Sequence, residues 1–291
     1  MVKKYAELYV QARRELMAVE NTQRAEMIAK ELICAASGLK HTELIAHRDH
    51  YASQDVCQTF RGYLDRAVAG EPLAYILGEW DFFGMTLVVT PDVLIPRDDT
   101  CALAELAIEQ AVQLKEDPRI LDLCTGSGCV GLAIAQKVKD SRVTLADISR
   151  EALAVAKKNA ANLRLNGRVG CVHADALGDP PVFLGTFDMI VSNPPYIRTE
   201  EMGELEPSVR DFEPHLALDG GLDGLDFYRS IIENYTKALK PEGLIALEFG
   251  MGQGDDVCRL LEAKGFEILT RKKDFGGIER AVIARKTQEG R

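Results

Sequence analysis

The chain has 291 residues, 46% of them hydrophobic, and its 35 Lys and Arg against 45 Asp and Glu give a net charge of −10. That length holds one full-sized α/β domain plus a smaller unit. The negative charge disfavours free DNA or RNA as a partner, because affinity for phosphate backbones comes from cations that displace counterions. The charge is uneven: residues 1–80 carry ten basic and eleven acidic side chains, a balance of −1 that leaves −9 on the rest. The seven cysteines form no C-x-x-C pair, which predicts buried thiols in a reducing cytoplasm rather than a disulfide framework or a metal site. The opening Met-Val-Lys-Lys runs into a charged amphipathic pattern, with no stretch of eighteen uninterrupted apolar residues. The expectation is a cytoplasmic protein with no membrane association.

From Lys3 to Gly70 apolar residues recur at helical spacing, as in Tyr5, Leu8, Tyr9, Ala12, Leu16 and then Ala25, Ile28, Ala29, Leu32, Ile33. This predicts a helical domain over residues 1–78, its last long helix capped by Ser53 or Asp55 and stopped by Gly70 and Pro72. Residues 79–115 read as a hairpin linker and a helix: aromatic and β-branched residues between Trp80 and Pro96 are broken by Gly84 and by Pro91-Asp92. Trp80, Phe82 and Phe83 are read as the core of that hairpin rather than a partner-facing patch. From 116 to 291 strand-like runs alternate with helix-like ones: 119–123, 142–146, 168–173, 187–192, 244–249, 266–270 and 281–284. That alternation predicts a doubly wound, mostly parallel α/β sheet, in which ligands bind beyond the carboxyl ends of the strands.

The first of these strands runs into Asp122-Leu-Cys-Thr-Gly-Ser-Gly-Cys-Val-Gly131, where Gly126, Gly128 and Gly131 satisfy G-x-G-x-x-G. Glycines at a helix N-terminus let backbone approach a ligand closely, and a dinucleotide is one candidate. Asp147 ends the second strand, where a carboxylate accepts hydrogen bonds from ribose hydroxyls; NAD and S-adenosylmethionine both carry that ribose. Asp175 follows the third strand, within reach of an adenine amino group. Each has a plain alternative, a tight turn for the glycines and a helix cap for the two aspartates.

The fourth strand is followed at once by Asn193-Pro194-Pro195-Tyr196. Two successive prolines fix φ and remove backbone donors, so local carbonyls become preorganised acceptors suited to an NH2 group. An amide or amino nitrogen is a poor nucleophile because its lone pair is delocalised. A site that transfers a group to it must hold its two hydrogens, as the Asn193 side-chain oxygen and the Pro194 carbonyl can, with Tyr196 packed on the amide plane.

In this order the loop, Asp147 and Asn193–Tyr196 resemble the class I, Rossmann-like methyltransferases that act on planar nitrogens. Glu71-Pro-Leu-Ala-Tyr-Ile-Leu-Gly78, Phe82-Phe-Gly84, Val93-Leu-Ile-Pro-Arg97, Asp122–Gly128, Ser192–Ile197, Glu213-Pro-His-Leu-Ala-Leu218 and Gly221-Leu-Asp-Gly224 narrow the resemblance to the release factor glutamine methyltransferase family, over nearly the whole chain. The resemblance implies S-adenosyl-L-methionine as cofactor and methylation of the side-chain nitrogen of the glutamine in the Gly-Gly-Gln motif of peptide-chain release factors. It implies a cofactor site of Asp122, Cys124, Thr125, Gly126, Ser127, Gly128, Asp147, Asp175, Ala176 and Asn193. Asn193, Pro194, Pro195 and Tyr196 would clasp the substrate glutamine, the helical domain would help hold the release factor, and the protein is expected to be a monomer without metal.

Two positions depart from the family's usual pattern. Asp98-Asp99-Thr100 stands where Pro-Glu-Thr is usual, with Asp99 expected to keep the carboxylate and the following helix its cap. Ala176 stands where relatives often carry an aromatic, which removes adenine stacking there and leaves a lining role. His173 and His215 are read as structural or surface residues, since a methylated amide loses its proton without a dedicated base. Cys124 and Cys129 are read as small packing residues. The acidic stretch 198–223 is read as a lid or partner-contacting segment, or simply a solvated loop. Rival functions are a ribosomal-protein glutamine methyltransferase, a DNA-adenine methyltransferase, a noncatalytic cofactor-binding module and a dehydrogenase.

Overall fold

In a computed structural model that describes residues 2–114 and 116–287, the chain divides into two compact units. One runs to Gly78 and includes Glu206–Phe212; the other comprises Glu79–Leu205 and the chain from Glu213 onward. The expected limits at residues 1, 115 and 291 lie outside the described residues.

The first unit is helical: α1 (Tyr5–Leu16), α2 (Thr22–Ser37), α3 (His41–Ala46), α4 (Gln54–Val68) and α5 (Leu73–Leu77). Apolar residues three and four apart give each long helix one buried stripe. Leu8, Ala12 and Leu16 of α1, Ile28, Leu32 and Ile33 of α2, and Phe60 and Leu64 of α4 meet in one core. Asn21 caps α2 by accepting from Arg24 N at 3.0 Å, and Ser53, rather than Asp55, caps α4 by accepting from Val56 N at 3.2 Å. Arg61 of α4 donates to Glu15 of α1 at 2.8 Å.

The second unit opens with the expected hairpin, β1 (Glu79–Phe82) paired antiparallel to β2 (Met85–Val88). Then follow α6 (Cys101–Ala111), β3 (Arg119–Leu123), α7 (Cys129–Lys137), β4 (Arg142–Asp147), α8 (Arg150–Asn162), β5 (Val169–His173) and β6 (Phe187–Ser192). After the short α9 (Pro207–Arg210), which belongs to the first unit, come α10 (Asp226–Asn234), β7 (Leu239–Glu248), α11 (Gly254–Ala263), β8 (Phe266–Lys273) and β9 (Glu279–Lys286). The sheet order is β5-β4-β3-β6-β7-β9-β8; β3 to β7 are mutually parallel, and β9 inserts antiparallel between β7 and β8.

Both faces of this sheet are covered, which explains the near-continuous apolar strands. Met189, Val191, Leu244, Ala246 and Ile283 point into one core with α6, α7 and α8, whereas Ile190, Ile245, Leu247 and Val282 point into the other with α10 and α11. Phe82 is buried in the first core and Phe83 packs against it, while Trp80 stays half-exposed. Of the seven cysteines expected to be buried, Cys101 and Cys258 are buried, Cys34, Cys57, Cys124 and Cys129 are half-buried, and Cys171 is exposed because β5 is the edge strand of the sheet. Among the described residues no helix is long and apolar enough to cross a membrane.

Leu121 is fully buried on β3, in the middle of the parallel strands. Leu121→Ala is expected to cost about 2–5 kcal/mol of stability, read as a lower midpoint of urea unfolding.

Candidate active site

The strand order reverses between β3 and β6: β4 and β5 extend to one side, β7 and its neighbours to the other. Loops leaving the carboxyl ends of two such strands diverge and open a crevice. Here they are the glycine-rich loop after Leu123 and the Asn193–Tyr196 segment after Ser192. The buried Ser192 hydroxyl donates to the Leu123 carbonyl at 2.6 Å and ties the two strand ends together. A cavity opens beyond them, walled by Asp122, Cys124, Thr125, Gly126, Ser127, Asp147, Asp175, Ala176, Asn193 and Pro195 among others. Ten of the thirteen residues expected in the site thus share one wall. Gly128, Pro194 and Tyr196 are not part of it.

Hydrogen bonds within the loop give each residue its place. Asp122 is buried and its Oδ2 accepts from Thr125 Oγ1 at 2.6 Å and from Gly131 N at 2.9 Å. Asp147 reaches across: its Oδ2 accepts from Gly126 N at 2.8 Å and its Oδ1 from Ser149 N at 2.9 Å. Ser149, not Asp147, caps α8, accepting from Ala152 N. Gly126 has φ +53° with open space where a side chain would stand, as close ligand approach requires. Gly128 faces the other way: a Cβ there would meet Leu132, Leu145 and Ala156, so its role is to let α7 pack on β4.

Sequence reasoning missed Asn159, a buried polar residue on the apolar face of α8. Its Oδ1 accepts from Val88 N at 2.7 Å, and its Nδ2 donates to Val88 O at 3.0 Å and Ser127 O at 2.9 Å, which binds hairpin, helix and glycine loop together. Its one sequence signal is an asparagine in register with Ala152, Val155 and Ala156.

Pro194 and Pro195 are buried and Tyr196 is half-buried. Asn193 Nδ2 donates to Thr100 Oγ1 at 3.2 Å. The Tyr196 carbonyl accepts from Gln253 Nε2 at 3.0 Å, and Ile197 N and O bond Leu218 O and Gly220 N at 3.0 and 2.7 Å. The motif Gly221-Leu-Asp-Gly224 gains its reason from this contact: a Cβ on Gly224 would stand 2.4 Å from the Tyr196 carbonyl oxygen, and φ there is +73°. Glu213, 4% exposed, accepts from Ile95 N at 3.1 Å and pairs with Arg97, so the 93–97 and 213–217 segments are joined where both wall the cavity. Burial pushes the Tyr196 hydroxyl well above its ordinary value. Burial likewise pushes Glu248, beside Asn193 and Thr100, up to about 8.

A model of the PrmC N-terminal domain matches residues 7–78, and one of the methyltransferase small domain matches residues 103–212. A release factor glutamine methyltransferase of Clostridium acetobutylicum is 40% identical over 241 residues, 83% of this chain and 84% of that protein. One of Geobacter sulfurreducens is 38% identical over 275 residues, 94% of this chain and 93% of that protein. The chain belongs to the release factor glutamine methyltransferase family. Its catalytic unit has the class I, Rossmann-like fold, with S-adenosyl-L-methionine as the methyl donor. The crystal structure of the hMettl16 catalytic domain with the MAT2A 3'UTR hairpin 6 superposes with a TM-score of 0.56 at 16% identity, covering 71% of this chain and 77% of that one, a likeness of fold alone.

The two departures from the family's pattern resolve differently. Among the described residues no side chain caps α6: Asp99 instead pairs with Arg280 at 2.9 Å, a correction that follows from the pull of a half-buried guanidinium already bonded to Asp274. Ala176 lines the cavity as expected, while Phe227 of α10 supplies an aromatic face to the same wall. Neither His173 nor His215 belongs to the wall, whereas Cys124 and Cys129 both do; burial pushes both thiols up, which leaves them neutral. The 198–223 stretch holds three short helical turns, Thr199–Glu204, Pro207–Arg210 and His215–Ala217.

Burial pushes Asp122 up to about 7, opposed by the Thr125 hydroxyl and the Gly131 N–H and assisted by the Asp147 charge. Its folded value lies above its unfolded one, so its contribution to stability is complete below the unfolded value and is lost as pH rises through about 7. Asp122→Asn keeps an acceptor for Thr125 and Gly131 but does not titrate. Between about pH 5 and about pH 9 the variant's urea midpoint should fall less than that of the wild type.

Proposed function

We propose that this chain transfers a methyl group from S-adenosyl-L-methionine to the side-chain amide nitrogen, N5, of the glutamine in the Gly-Gly-Gln motif of peptide-chain release factors. The observation that carries the reading is the Asn193-Pro-Pro-Tyr segment at the switch point, with Asn193 Nδ2 committed to Thr100. An amide whose nitrogen is engaged presents its oxygen, an acceptor for a substrate N–H.

The residues present fit the cofactor. Ser127 Oγ is buried at the cavity wall without a partner among the described residues, and a polar group of the ligand would satisfy it. Asp147, Gly126 and Asp175 supply polar groups for a ribose and an amino group, and Ile148, Leu177 and Phe227 supply apolar surface for a flat base. When bound, S-adenosyl-L-methionine supplies an electrophilic methyl group. The protein's part is positional: Asn193 Oδ1 and the Pro194 carbonyl hold the two amide hydrogens, Pro195 walls the site, and the neutral Tyr196 ring packs on the amide plane. His173 and His215 take no part.

The helical unit, with the nearly balanced charge of the first 80 residues, would hold the release factor. The remaining features of the reading are a monomer in the cytoplasm that binds no free nucleic acid.

Mass spectrometry of a purified release factor after incubation with the protein and S-adenosyl-L-methionine should find one methyl group on the Gly-Gly-Gln glutamine, and none with Asn193→Ala. No methylation by a folded, cofactor-binding protein would overturn the release-factor assignment and direct the same assay to ribosomal proteins. Asp147→Asn replaces a carboxylate acceptor, and should weaken S-adenosyl-L-methionine about 10- to 100-fold in calorimetry.

A further inference from the structure

The carboxyl end of β7 places a second buried acid behind the substrate segment. Ser192 pairs with Leu247 in the β6–β7 register, so the next residues stand side by side: Asn193 leaves the sheet, while Glu248 is held in it opposite Ala281 of β9. Glu248 is 2% exposed and its Oε2 has no hydrogen-bond partner among the described residues. Its carboxyl adjoins the Thr100 hydroxyl and the Asn193 amide, both of which favour its charged form as donors do. Thr100 is itself 2% exposed and already accepts from Asn193 Nδ2, so its own hydrogen is free to be donated onward. The Glu248 main chain is fixed too, its carbonyl accepting from the buried Tyr228 hydroxyl at 2.8 Å. Arg280 faces this carboxyl but bonds Asp99 and Asp274.

A buried carboxyl with one oxygen unpaired is costly, and an apolar side chain of its size would be tolerated at least as well. An asparagine amide, by contrast, has two faces of opposite chemistry that a half-turn exchanges, and only one of them accepts a hydrogen bond. We infer that Glu248 is a positioning residue for Asn193: as the terminal acceptor behind Thr100, it draws the Asn193 NH2 inward and keeps Oδ1 turned toward the substrate amide. The inference rests on the substrate reading above. Without the acceptor, Thr100 can turn its hydrogen toward Asn193, and the flipped amide presents two hydrogens to a substrate NH2. Substrate and asparagine then meet donor to donor.

Glu248→Met keeps volume and removes the acceptor, whereas Glu248→Gln keeps an acceptor oxygen. With release factor as substrate, Glu248→Met should lower kcat about 10- to 100-fold, the worth of one or two hydrogen bonds to a charged or buried partner. Glu248→Gln should restore most of it, and S-adenosyl-L-homocysteine should bind all three proteins alike in calorimetry. A Glu248→Met protein with wild-type kcat, or a Glu248→Gln protein as impaired as Glu248→Met, overturns the inference. A readout without substrate runs in parallel: in protein labelled with 15N-asparagine, which has six such residues, the Asn193 side-chain NH2 signals should shift in Glu248→Met and return in Glu248→Gln. If wild type fails to methylate the release factor, the substrate reading falls, and the Asn193 signals alone decide for or against Glu248.

Discussion

The hydrogen bond from the Ser192 hydroxyl to the Leu123 carbonyl crosses the one place in the sheet where neighbouring parallel strands send their loops apart. Everything that can bind a ligand here depends on that divergence. On the β3 side the chain turns through Cys124, at φ 58°, and Gly126 before α7, presenting N–H groups and the Asp147 carboxylate. On the β6 side two prolines prevent the chain from continuing either sheet or helix. Because both strand ends are buried, the loops have rigid bases, and the distance between the cofactor wall and Asn193 is set by strand spacing rather than by loop flexibility.

That rigidity is extended by backbone contacts that only glycine permits. The Asn193–Ile197 segment lies against Gly220 and Gly224, where a β-carbon would overlap main-chain atoms, and Gln253 spans the Tyr196 carbonyl and Gly250 N. On the opposite wall Asn159 fixes Ser127 and Val88 at once. Buried polar groups of this kind are costly when unpaired and restrictive when paired. Here they are paired where the loops must be held, and among the described residues left without a partner at Ser127 Oγ on the cavity wall and at Glu248 Oε2.

The electrostatics follow the same division. The negative charge of the chain lies mainly beyond residue 80, yet two acids of the site region, Asp122 and Glu248, are buried and their ionisation is resisted by lost hydration. Asp122 spends both hydrogen bonds on its own loop, so it acts on a ligand through the shape of that loop. Asp147, less enclosed, divides its oxygens between Gly126 and Ser149 and stands at the wall.

Sequence alone determined what depends on periodicity and on residues with unusual backbone chemistry. Apolar spacing of three and four set the helices of the first unit, continuous apolar runs set β3, β4, β6 and β7, and Gly126 with Asn193-Pro-Pro-Tyr marked the loops at the strand ends, because such residues carry their conformational preference wherever they stand. Tertiary structure decided what depends on which segments meet. Gly128 and Gly126 look alike in sequence but face opposite ways, Asp99 is drawn from the helix end it was expected to cap to Arg280, Cys171 is exposed by its edge strand, and Asn159 and Glu248 take their partners from residues 71 and 148 positions away. A side chain's type limits which bonds it can make; only the folded chain determines which partner comes within hydrogen-bonding distance, and burial determines how strongly that bond constrains the site.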